Sequence, residues 1–98
     1  MTDQPGERRP TVGRVVLYAL SEGDVDEINR TRAVAALPPT RTGNAVHAGD
    51  EFPMVVVRVW PGAPSVNGQV LLDGDDSYWA TSRVRGDGPG CWRWPDLA

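Results

Sequence analysis

Hydrophobic residues fall along the chain in short runs bounded by Gly, Pro and Asp, a spacing that predicts strands more than helices. Gly13 to Leu20 (GRVVLYAL) is a compact β-type run with the length of a buried strand. Glu51 to Trp60 holds the strongest strand signal, MVVVRVW, and Pro61-Gly62 closes it. Val66 to Asp73 follows, ended by the turn Asp73-Gly74-Asp75-Asp76, and Ser77 to Arg85 makes the next run. Gly86-Asp87-Gly88-Pro89-Gly90 reads as a tight loop needing positive φ, and Cys91 to Trp94 can form a short closing strand before Pro95.

A single segment carries helical signals. Ser21 stands where an N-cap belongs, and Glu22, Asp24, Asp26 and Glu27 suit the positive end of the helix dipole. Leu20 and Val25 occupy the two positions of a hydrophobic staple, while Arg30 and Arg32 suit a helix C-terminus. A short helix is predicted from about Glu22 to Arg32, buried through Val25, Ile28 and, at its end, Ala33. Ala33 to Asp50 then contains Pro38-Pro39, Gly43-Asn44 and Gly49-Asp50, so a long irregular loop is expected, with at most a short strand near Ala45 to His47. Residues 1–10 are polar and aperiodic and predict a disordered arm, which leaves 11–98 as a single small β-rich domain. The fold class expected is mainly β with one short N-terminal helix (α+β), either a small SH3-like barrel or a rolled antiparallel sheet.

Alternation within the strands sorts the residues onto faces. Val55, Val57 and Val59 share one side of their strand, and Met54, Val56, Arg58 and Trp60 share the other. In the next strand Val66, Val70 and Leu72 oppose Asn67, Gln69 and Leu71; in the third, Tyr78, Ala80, Ser82 and Val84 oppose Trp79, Thr81 and Arg83. One face is thus apolar. If the strands are neighbours in matching register, the other gathers Arg58, Trp60, Asn67, Gln69, Trp79, Thr81 and Arg83, a mixture of indole, amide and guanidinium suited to recognition.

Composition narrows the partner. The chain has 98 residues and a formal net charge of -3, and all ten of its cationic side chains are Arg. The acidic balance argues against a general DNA or RNA binder, which needs a basic footprint. No apolar run approaches a membrane span, and Met1 to Pro10 lacks the apolar core of a signal peptide, so a soluble, cytoplasmic chain is expected. The single cysteine, Cys91, forms no internal disulfide and fits a reducing compartment. GC-rich codon usage accounts for most of the arginine bias, so each Arg needs its own physical argument. Where one stands near an aromatic, its planar fork can stack or grip phosphate in ways an ammonium cannot.

The candidate chemistry is binding. Four tryptophans are present, and Trp79, Trp92 and Trp94 could stack on a planar ligand with Arg83, Arg85 and Arg93 nearby. The plainer reading of each indole is a large core residue. No catalytic constellation stands out. His47 is the sole histidine, its spacing to Cys91 supports no nucleophile pair, and Cys91 reads as a structural thiol beside Trp92. Asp73, Asp75 and Asp76 resemble the opening of a calcium loop, but Val84 stands where the bidentate Glu would fall. The loop from Gly86 to Gly90 lacks the Lys and Ser/Thr of a phosphate-binding P-loop. Neither an enzyme, a metal nor a cofactor is expected.

The ordered segments GRVVLYALS, INRTR, GDEFPMVVVRVW, SVNGQVLLDGDDSYWATS and GDGPGCWRWP resemble a group of short accessory proteins of actinobacteria, their phages and prophages. The resemblance spans about Val12 to Pro95 and implies a phage or prophage accessory protein, in the host cytoplasm or the virion, with no catalytic residues to carry over. A looser similarity joins Asp73-Gly74, Trp79 to Ser82 and Trp92 to phage proteins that sequester nucleotide-derived signals of Thoeris-type immunity. The expectation is a non-enzymatic protein that sequesters a nucleotide-like small ligand through Arg58, Trp60, Asn67, Gln69, Trp79, Thr81, Arg83 and Trp92. The alternatives are a virion or tail accessory subunit, and an inhibitor that binds a host protein. A homo-oligomer would cover the edges of so small a sheet.

Overall fold

The computed structural model describes residues 8–35 and 43–96. Its elements follow the order β1 (Val15–Ala19), α1 (Glu22–Ala35), β2 (Glu51–Val59), β3 (Val66–Leu71), β4 (Ser77–Arg83) and β5 (Trp92–Arg93). The strands form one five-stranded antiparallel sheet in the order β4-β3-β2-β1-β5. The sheet is rolled and not closed into a barrel. Past β4 the chain crosses to the opposite edge, where Arg85 bridges Trp92, the Trp92 N–H donates to the Val84 carbonyl at 3.1 Å and the Gly86 N–H to the Trp92 carbonyl at 3.0 Å. One bridge thus tacks the two edges together.

Helix α1 begins as its sequence dictates. The Asp24 N–H donates to Ser21 Oγ and the Ser21 N–H donates back to Asp24 Oδ2, a reciprocal cap that satisfies two backbone donors. Leu20 is buried and Val25 half-buried against the core, the staple arrangement. Ile28 is buried, whereas Ala33 lies exposed because the helix has run past the sheet by that point. The end of α1 is tied down by Arg32, whose guanidinium grips Asp76 at 2.7 and 3.1 Å and donates to the Asn44 carbonyl at 2.9 Å. Within the expected loop, residues 36–42 lie outside the described residues, and 43–50 are irregular, with no strand at Ala45 to His47. Val46 is nonetheless buried and belongs to the core. Residues 1–7 of the expected arm also lie outside the described residues.

The core fills the concave side of the roll with Val16, Tyr18 and Leu20 from β1 and its end, Met54 and Val56 from β2, Val66 and Val70 from β3, Ala80 from β4 and Trp92 from β5. Gly68 also faces inward, and a Cβ there would sit 2.5 Å from the Met54 side chain, so glycine makes room for that methionine. Two register shifts correct the faces read from alternation. Between Val56 and Arg58 the β2–β3 ladder slips by one residue. Met54 and Val56 are therefore buried, Arg58 is exposed opposite Asn67, and Val59 turns inward opposite Val66. A second shift lies between β3 and β4, where Thr81 and Ser82 together span the step between Ala80 and Arg83. Ser82 takes φ of 55°, and its N–H donates to Asn67 Oδ1 at 2.7 Å. Such a bulge reverses which side of the sheet the following residue occupies. Arg83 thereby leaves the outer face and points into the fold.

Candidate functional site

The convex face of the sheet brings most of the predicted recognition residues together. Val15, Val55, Gln69 and Trp79 form one row across β1 to β4, each the register partner of the next. Arg58 and Asn67 form a neighbouring pair, and exposed Thr81 continues the outward alternation of β4 from Trp79. Trp79 and Val15 keep about half of their surface in solvent. On β2 the face carries Val55, where alternation had placed Met54 and Val56 beside Arg58.

Two predicted residues lie elsewhere. Trp92 is 2% exposed and packs in the core, with its ring edge-to-face against Trp94 at 5.6 Å. Arg83 lies under α1 in a network that sequence reading missed. Asp24, itself 2% exposed, accepts four hydrogen bonds: Oδ2 from the Tyr18 hydroxyl at 2.5 Å and the Ser21 N–H at 2.9 Å, Oδ1 from the Tyr78 hydroxyl at 2.7 Å and Arg83 Nη2 at 2.9 Å. Burial alone would raise the Asp24 pKa, but those donors and the Arg83 charge outweigh it and hold the carboxyl below its ordinary value. Burial and the bond to Asp24 push both phenols the other way, Tyr78 to about 12 and Tyr18 upward as well. A visible signal was the position of Asp24 four residues before Ile28, which puts an acid on the buried stripe of the helix. Both phenols and Arg83 Nη2 are spent on Asp24, while the Arg83 Nε–H is buried without a partner, so the cluster is tied to the fold.

An open recess lies beside the tacked edges, where the chain around Arg8 to Thr11 faces the turn from Val59 to Val66. It encloses about 580 Å³, within the range of small-molecule sites. Val59, Val66, Trp92 and Pro residues make much of its lining apolar, Trp60 stands at its side, and Arg8, Arg9 and Arg85 bring three cations, with no acidic residue among the described lining residues. Trp60 is 39% exposed, with the Arg58 guanidinium 6.0 Å from its ring centroid. A second recess of about 510 Å³ is lined by Arg85, Gly86, Asp87, Arg93, Trp94 and Asp96. Arg8 stacks on the Trp94 ring at 3.7 Å. The indole N–H groups of Trp92 and Trp94 are buried without hydrogen-bond partners, an unused donor beside each recess.

Sequence reasoning placed the candidate site on the sheet face and found Trp60, but not Arg8, Arg9 or the turn that encloses the recess. Those residues meet only because the chain ends of β4 and β5 converge on the N-terminal segment. His47 is exposed, 3.6 Å from Asp50, and Cys91 packs against Gly86. Among the described residues, no cluster of three or more His, Cys, Asp or Glu side chains is placed to hold a metal ion. No described helix is long and apolar enough to cross a membrane. Comparison of the chain with protein families, curated proteins and solved structures finds no match.

Proposed function

We propose that the chain is a non-enzymatic accessory protein of phage or prophage type that sequesters a small anionic, planar ligand, a nucleotide derivative, in the recess bordered by Arg8, Arg9, Arg85 and Trp60. The observation that carries this reading is the gathering of three guanidinium groups and an accessible indole around an apolar floor, with no carboxylate among the described lining residues. Guanidinium forks suit phosphate oxygens, and an indole face suits a base at about 1–3 kcal/mol per stacked ring. Sequestration makes affinity the functional quantity and needs no catalytic group. Such a protein would work in the host cytoplasm.

A thermal-shift panel of nucleotides and cyclic dinucleotides at saturating concentration tests the reading. A ligand at about a hundred times its Kd stabilises the fold by about 2.7 kcal/mol. The shift should vanish in a Trp60→Ala/Arg85→Ala variant that melts like the parent without ligand. Absence of any shift, or an equal shift in the variant, overturns it. The convex face, with Trp79 and Val15 exposed, supports the second reading of a virion subunit or host-protein inhibitor. Detection of the chain in purified phage particles by mass spectrometry, together with a silent ligand panel, would favour the virion role.

A further inference from the structure

Among the described residues, no backbone hydrogen bond ties residues 8–10 to the sheet. The bonded path into β1 begins at Gly13, whose N–H donates to the Val56 carbonyl at 2.8 Å, and the Arg14 N–H closes a turn on the Thr11 carbonyl at 3.1 Å. Gly13 takes φ of 94°, a left-handed conformation that glycine adopts without strain. What holds the segment beyond that turn is a side chain. The Arg8 guanidinium lies over the Trp94 ring, 3.7 Å from its centroid. Arg8 is exposed, whereas Trp94 is half-buried, packed against the core and edge-to-face with Trp92 at 5.6 Å. Trp94 is thus the fixed half of the contact and Arg8 the movable half.

Arg8 to Thr11 also line one side of the first recess, against the turn from Val59 to Val66 on the other. We propose that residues 8–10 are a strap, pivoting at the Thr11–Arg14 turn and latched by Arg8 on Trp94, and that this strap is a movable wall of the recess. An exposed cation–π contact is modest and shifts the balance toward the closed strap by about two- to fivefold. A latch of that strength opens readily while the sheet stays folded, because local opening costs least where a segment shares few bonds and little buried surface with its neighbours. Opening uncovers the recess beside Val66, which lines it and is 1% exposed with the strap closed. On the recess reading above, a ligand enters past the open strap and is retained when the stack re-forms.

Proton NMR of the full chain without ligand tests the strap. The Trp94 ring current should move the Arg8 side-chain methylene signals upfield, and Trp94→Leu should return them to their ordinary positions. A neutral gadolinium chelate in solution then reads the wall. Its broadening of the Val66 methyl signals should rise about two- to fivefold in Arg8→Ala and in Trp94→Leu. Arg9→Ala shortens a neighbouring lining side chain that the latch does not use, and should leave that broadening unchanged. Arg8 and Arg9 are both exposed, so thermal melting should match the parent in either variant and a rise confined to Arg8→Ala reports the wall. Unshifted Arg8 signals in the parent, no rise in Arg8→Ala, or an equal rise in Arg9→Ala overturns the strap. Because no ligand is present, a silent nucleotide panel overturns the recess reading alone.

Discussion

Arg83 and Arg85 stand two residues apart, yet one closes a network under the helix and the other borders an open recess. The bulge at Thr81 and Ser82 turns Arg83 inward, where its side chain is 26% exposed and bonded to an Asp24 that is 2% exposed. Past that point the chain leaves β3 and crosses to Trp92, which carries Arg85 into the lining of both recesses. The difference shows how identical side chains acquire opposite roles. A guanidinium bonded to a desolvated carboxylate is tied into the fold, whereas one that lines an open recess lies where solvent screens its charge.

The largest effect should come from removing the acceptor shared by the buried side of this comparison. Asp24→Ala leaves Arg83 and two phenolic hydroxyls without their carboxylate, and denaturant unfolding should show a loss of about 3–5 kcal/mol. Arg85→Ala should stay within about 1 kcal/mol of the parent. Equal losses in the two variants would erase the distinction.

Titration sharpens it next. The chain has two tyrosines, and both donate to Asp24. Absorbance at 295 nm should therefore show no tyrosinate near pH 10 in the folded protein, with Tyr78 ionising at about 12, and ordinary ionisation near pH 10 in denaturant. Because the folded Tyr78 pKa is raised, its contribution to stability is complete below about pH 10 and is lost as pH climbs through about 12. Asp24 behaves in the opposite sense. Its folded pKa is lowered, so its contribution is present above about pH 4 and fades as pH falls through the depressed value, an acid limb that Asp24→Asn should flatten.

The smallest effects separate codon bias from physical need. Arg83→Lys keeps the charge but loses the planar fork, bonded to Asp24 and 5.6 Å from the Tyr18 ring centroid, and should cost about 1–2 kcal/mol in thermal or chemical denaturation. Arg58→Lys, on the exposed convex face, should change stability by less than about 0.5 kcal/mol. A costly Arg58→Lys would mean that its position 6.0 Å from Trp60 matters more than exposure suggests.

The strands, the single helix and its Ser21 cap were legible because each depends on residues close in sequence: a run of β-branched side chains, a polar cap, a Gly or Pro turn. Period-2 alternation likewise put Trp79 with Thr81 within one strand, but bringing Gln69 onto their side depended on the two strands being neighbours in matching register, which the pairing supplies. Alternation failed where pairing added a residue. Nothing local to VVVRVW or WATSR marks Val57 or Ser82 as the point where the ladder slips, because a bulge is a property of two strands in register.

By itself the sequence determined the α+β class, the element order, the helix cap and an arginine set without lysine. Only the tertiary structure decided that Asp24 would be buried among Tyr18, Tyr78 and Arg83, that Trp92 would belong to the core, and that Arg8, Trp60 and Arg85 would border one recess. Those groups lie from six to seventy-seven positions apart in the chain. Their encounter depends on the curl of the sheet and the bridge between its edges, which no local preference encodes.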